Sequence, residues 1–204
     1  MTEARRPRVW VTRPEPGLQG LCDAVETAGF EAVAVPTLEI VPPADAGTVA
    51  EQASADSARA RLAVFVSRNA VDWLWRLFGG DAVDYLARLD VVAVGPGTAA
   101  ALQERRIETV IRPDADADSE ALLALPQLRE QAVADSDVVI IRGQGGRELL
   151  ADTLRSRGAR VTYIEVYGRQ QCTATTVRLP GLWRERKPAA IVVSSPPVSR
   201  RWWR

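Results

Sequence analysis

The chain repeats itself at a spacing too long for a solenoid, and this limits the folds open to it. VWVTR ends at Arg13, and the helical pattern that follows closes at Gly29; VVIIR ends at Arg142, and its helical pattern closes at Gly158. Arg142 lies 129 residues after Arg13, and both helical spans run 16 residues. Further along, VFVSRNAV places Ser67 at a strand end and IVVSSPPV places Ser194 there, 127 residues later. A period of about 128 residues is a duplicated half-protein, not an array of small repeats.

Within each copy, short apolar runs alternate with amphipathic stretches. The runs predict strands at Val9–Thr12, Ala32–Val35, Leu62–Val66, Val91–Val94, Thr109–Ile111, Val138–Ile141, Val161–Ile164 and Ala190–Val193. Leu18, Leu21, Cys22 and Val25 fall at i, i+3, i+4 and i+7, as do Val71, Leu74, Trp75 and Phe78. Strand–helix alternation implies parallel sheets covered by helices. Two segments read as linkers, Leu38 to Ala46 and Tyr167 to Arg178, and a helix is expected between Asp45 and Arg61. Crossing between domains at both linkers gives a central α/β domain over 43–166 and a split domain made of 1–37 and 175–204. The fold expected is two flavodoxin-like α/β domains with parallel sheets flanked by helices. The partner of VVAVGPGTAAAL would fall beyond Arg204, so the split domain is expected to be incomplete, with an exposed edge that invites self-association.

Composition narrows the chemistry. The chain has no histidine, which removes Ser-His-Asp and Cys-His catalysis and leaves few ways to hold a metal. Cys22 and Cys172 form no motif and read as free thiols of a reducing cytoplasm. Formal net charge is +0, so no global field draws the chain to nucleic acid. No apolar run reaches the roughly 18 residues of a membrane span. Gly143-Gln144-Gly145-Gly146 is no dinucleotide fingerprint, because Glu148 stands where the last glycine belongs.

Ligands of open parallel sheets bind beyond the carboxyl ends of the strands. Those ends carry Arg13, then Ser67 and Asn69, then Gly95 and Thr98, then Arg142 and Gly143, then Ser194. Each precedes a helical stretch, where backbone N–H groups favour anions. Singly, Ser67 and Thr98 read as helix caps, and Gly143 as a turn residue; together the loops suit a polyanion. Of the three tyrosines, Tyr85 and Tyr163 read as structural. Tyr167 lies just past a strand end, where a phenol, a weak acid of pKa about 10, can donate to a leaving hydroxyl.

VTRPEPGLQGL, FVSRNAVDWL, AVGPGTAAAL, SEALL at Ser119–Leu123 and IIRGQGGRELLADTLRSRGARVTYIEVYGR, in this order and spacing, resemble the uroporphyrinogen-III synthase family from about Val9 to Ser195. The resemblance implies two α/β domains joined by two connecting strands. It implies cyclisation of hydroxymethylbilane, with loss of water and inversion of the last pyrrole ring, in tetrapyrrole biosynthesis. It implies no metal or organic cofactor, a cytoplasmic monomer, no nucleic-acid or membrane partner, and an upstream deaminase as a candidate partner. It assigns Tyr167 as the catalytic residue, and Ser67, Asn69, Gly95, Thr98, Arg142, Gly143 and Ser194 to the substrate; Arg13 joins the substrate residues from its place at a strand end. With the last cleft loop missing, little activity is expected of these 204 residues. A tetrapyrrole-sensing module without turnover on the same fold is the alternative.

Overall fold

The computed structural model describes residues 5–49, 59–114, 119–146 and 148–193. It is an α/β protein whose chain packs as two units. One holds the chain up to Val41 and from Arg169 onward, and the other is Pro42–Gly168.

In the first unit, β1 (Arg8–Val11) is followed by α1 (Leu18–Thr27) and β2 (Glu31–Ala34). β1 runs parallel to β2 on one side and to β8 (Ala190–Val192) on the other, giving the order β2-β1-β8. Leu18 and Cys22, one turn apart on α1, bury against Val11. Gly29, at φ +89, reverses the chain after the helix, a conformation that favours glycine.

In the second unit the strands are β4 (Ala60–Phe65), β5 (Asp90–Ala93), β6 (Asp137–Gly143) and β7 (Arg160–Gln171). All pair in parallel, in the order β7-β6-β4-β5. α2 (Arg68–Phe78) and α4 (Pro96–Gln103) pack together on the face of the sheet that carries Ala63, Phe65 and Ile141, with α3 (Asp81–Leu86) beside them. The other face buries Leu62, Val64, Val138 and Ile140 under α5 (Ser119–Leu123), α6 (Glu130–Val133) and α7 (Leu149–Ser156). A sheet covered on both faces explains why these strands read as continuous apolar runs. The neighbours recur at the period of the sequence repeat, since β2-β1-β8 and β7-β6-β4 are equivalent triplets. Among the described residues β8 has no neighbour matching β5.

Three expectations are corrected. Leu38–Val41 is a strand, β3, and not a linker. It lies beside the far end of β7, which continues through the second expected linker to Gln171. That end is held by main-chain pairing and polar contacts, with Cys172 N donating to Thr37 O at 3.0 Å and Gln170 Nε2 to Glu39 Oε2 at 3.1 Å. β3 is only four residues long, and the end of β7 is Arg169-Gln170-Gln171, so neither reads as an extended apolar run. α8 (Thr173–Glu185) then occupies most of what remained of that linker. Thr109–Ile111 is not a strand, because only Ile111 reaches the sheet, as a single bridge to Val92. The helix expected between Asp45 and Arg61 falls largely outside the described residues.

The units differ in core. The second buries a continuous cluster from Leu62 to Ala159, whereas the first has a smaller core around Trp10, Val11, Leu18, Cys22 and Val35, with Ile191 of β8 half exposed. Amides of β4 and β6 are therefore expected to exchange with solvent hydrogen only on global opening, and those of β8 and α8 well before them. Hydrogen-exchange mass spectrometry checks this; uniform protection contradicts it.

Candidate functional site

The ends of β4 and β6 meet at one tyrosine of β7, and β5 ends beside β4. β4 runs out at Phe65, and two residues later Ser67 stays extended (φ −167, ψ 158) to cap α2. Its Oγ accepts from Ala70 N at 3.1 Å, a side-chain cap worth about 1 kcal/mol. Asn69 follows in the first turn, half-buried. After β5, Gly95 opens α4 through its backbone alone, with no side-chain cap. Thr98 is not a cap: it sits inside the first turn of α4, 4% exposed.

The third end is irregular. β6 and β7 pair residue for residue up to Arg142 and Glu165, and then Gly143 pairs with Tyr167. Val166 is the extra residue of this bulge. Uninterrupted alternation would put Tyr167 on the face of Tyr163 and Glu165; the bulge turns it onto the face of Gly143. There it is 1% exposed, and its phenol oxygen stands 3.3 Å from Ser67 Oγ. Gln144 N donates to Tyr167 O at 2.7 Å, which ties the tyrosine backbone to the glycine loop. The ring occupies the space a side chain on Gly143 would need. A Cβ there would overlap Cε2 and Cζ and approach Cδ2 to 2.9 Å. Tyr167, Ser67 and Gly143 are thus one packed group.

Arg142 points the other way. Its guanidinium is buried, bonded to Glu165 Oε1 at 3.2 Å and Glu148 Oε1 at 3.0 Å, and lies 3.9 Å from the Tyr163 ring centre. Glu165 Oε1 also accepts from Gly145 N at 3.3 Å. The arginine expected to face the substrate is therefore committed within the protein, where it braces the Gly143–Gly146 loop. Sequence reading missed Glu165 and Glu148 in this role; their acid–base pairing with Arg142 across a strand and a loop leaves no local spacing to detect.

The Tyr163 hydroxyl donates to Glu148 Oε2, and this bond first, then Arg142, holds the Glu148 carboxyl below its usual range. Burial, then the same bond, pushes the Tyr163 phenol up. A depressed carboxylate stabilises the fold above its unfolded pKa, near 4.3, and the gain is lost as pH falls through the folded value. Glu148→Gln is accordingly expected to be less stable than the parent at pH 7, by a margin that is smaller at pH 3. Urea unfolding at both pH values measures the difference, and a constant gap refutes it.

Arg13 belongs to the first unit. It is exposed and folds over Gly17, which precedes α1. Ser194 lies outside the described residues. No helix among the described residues is long and apolar enough to cross a membrane.

The family model described as uroporphyrinogen-III synthase HemD matches residues 20–204. The chain is 31% identical over 195 residues to the uroporphyrinogen-III synthase of Escherichia coli, covering 96% of this chain and 78% of that one. It is 33% identical over 162 residues to the enzyme of the same name from Proteus mirabilis, covering 79% of each. Among solved structures, a mutant uroporphyrinogen III synthase from Thermus thermophilus superposes with a TM-score of 0.63 at 18% identity, over 91% of this chain and 71% of that one. The Helicobacter pylori uroporphyrinogen-III synthetase gives 0.56 at 16% identity, over 90% and 69%. These two likenesses concern the fold.

Proposed function

The chain belongs to the uroporphyrinogen-III synthase family, which cyclises hydroxymethylbilane in tetrapyrrole biosynthesis, and we propose that Tyr167 is the acid that releases the substrate's hydroxyl. The observation that carries this is the phenol itself, aimed by the bulge at Val166 and seated on Gly143.

The chemistry needs one proton at one oxygen. The phenol passes its proton to the hydroxymethyl oxygen, the C–O bond breaks with its electron pair on that oxygen, and water leaves. The pyrrole nitrogen stabilises the carbocation left behind. Carbon–carbon bond formation at the substituted α-carbon of the last ring captures the cation. That carbon's bond to its other bridge breaks and re-forms at the ring's free α-carbon, so that the ring is inverted, and the proton then lost from that carbon restores the phenol. The sum is one linear tetrapyrrole to one macrocycle and one water. Left alone, the bilane closes without inverting its last ring, so the protein must also hold the two ends in register.

For that holding, the α2 and α4 N-termini beyond Ser67 and Gly95, with Asn69 in the first turn of α2, favour acetate and propionate side chains, while Thr98, buried with its N–H on Gly95 O at 3.2 Å, shapes the α4 end. Arg142 serves through the loop it braces. Hydroxymethylbilane generated in situ, mixed with the chain and resolved into type I and type III isomers, tests the reading. Type III in excess over the protein-free control is expected; type I alone overturns it.

A further inference from the structure

We propose that Ser67 is a positioning residue for the acid, donating its hydroxyl proton to the Tyr167 phenol oxygen so that the phenol's own proton is directed at the substrate; this rests on the reading of Tyr167 as the acid. Ser67 Oγ already accepts from Ala70 N at 3.1 Å, in the first turn of an 11-residue helix. The serine hydrogen is left to point elsewhere, and the phenol oxygen stands 3.3 Å away. A tyrosine has one proton. When that proton is engaged with the leaving hydroxyl, the contact to Ser67 persists only if the serine donates.

The order Ala70 N–H, Ser67 O–H, Tyr167 oxygen makes a chain of donors that starts at the positive end of α2. Each bond in such a chain polarises the next, and the helix end adds to it. The stabilisation grows as negative charge develops on the phenol oxygen during proton transfer, so it favours the transition state over the bound substrate. One serine therefore joins the start of a helix to the reacting group, and the sequence feature that marks an ordinary cap also sets the direction of the tyrosine's hydrogen bond. Gly143, packed against the ring, and the Gln144 N bond to Tyr167 O hold the tyrosine in place, which limits how far the phenol can move from Ser67.

The test uses the full chain with tyrosine 13C-labelled at Cζ, whose shift reports hydrogen bonding at the phenol oxygen. Tyr167→Phe identifies the Tyr167 line by its disappearance. Ser67→Ala is expected to move that line, and Ser67→Thr, which keeps both cap and hydroxyl, to leave it in place. In turnover, Ser67→Ala is expected to lower kcat roughly tenfold with KM little changed, the worth of about one hydrogen bond. Ser67→Thr restores most of that rate, and Ser67→Ala adds nothing in a Tyr167→Phe background. An unmoved line in Ser67→Ala overturns the proposal, and so does an equal rate loss with and without the phenol. A Tyr167→Phe chain that turns over like the parent overturns the acid assignment instead, whatever the line does.

Discussion

Alanine at position 143 is expected to lower the stability of the second unit by about 1–3 kcal/mol, the cost of forcing one methyl into a filled core. Gly143 has no positive φ, so backbone freedom is not what excludes a side chain here. Volume is. The added Cβ would fall within the Tyr167 ring. The ring has nowhere to retreat, because Tyr167 is 1% exposed and its carbonyl is pinned by Gln144 N at 2.7 Å. Either the ring tilts away from Ser67 or β6 separates from β7, and both disturb the phenol. Urea unfolding of Gly143→Ala should show a lower midpoint with an unchanged slope, and type III formation should fall in step. A parent-like midpoint would mean that the ring does not rest on Gly143.

Tyr167→Phe is expected to reduce kcat about 100-fold or more, the usual contribution of a positioned general acid. The same substitution retains the ring that fills the space over Gly143. It forfeits the contact to Ser67, which is worth about 1 kcal/mol in stability. Substrate contacts elsewhere are untouched, so KM should barely move, which is the pattern of an interaction made in the transition state. A tyrosine that serves only to pack would tolerate phenylalanine with its rate intact. The two variants are complementary: alanine at 143 displaces an intact phenol, and phenylalanine at 167 leaves the ring in place and removes the hydroxyl.

Much of this was legible in the sequence, for identifiable reasons. β4, β5 and β6 are apolar because both faces of their sheet are covered, and the first half of β7 shows itself by alternation, with Val161 and Tyr163 inward and Thr162 exposed. Ser67 and Tyr167 were readable as strand-end residues, where this class of fold collects ligands, and the structure brings their oxygens within 3.3 Å. β3 and the second half of β7 were hidden. Their polar residues, such as Glu39 and Gln170, pair with each other rather than burying an apolar face. The bulge at Val166 was hidden as well. VYG looks like any strand end, and only the register of β6 against β7 shows that Tyr167 has changed face. Arg142 was misplaced for the converse reason: its position at a strand end was read correctly, but the carboxylates that claim it come from residues 148 and 165.

The central claim is that the phenol of Tyr167, set by that bulge, drives loss of the hydroxyl in ring closure. The most direct test is the initial rate of type III formation from hydroxymethylbilane by the parent chain and by Tyr167→Phe, with folding of both verified by circular dichroism. The account predicts a parent rate about 100-fold above the variant's, with spontaneous type I formation the same in both. Equal type III rates would contradict it.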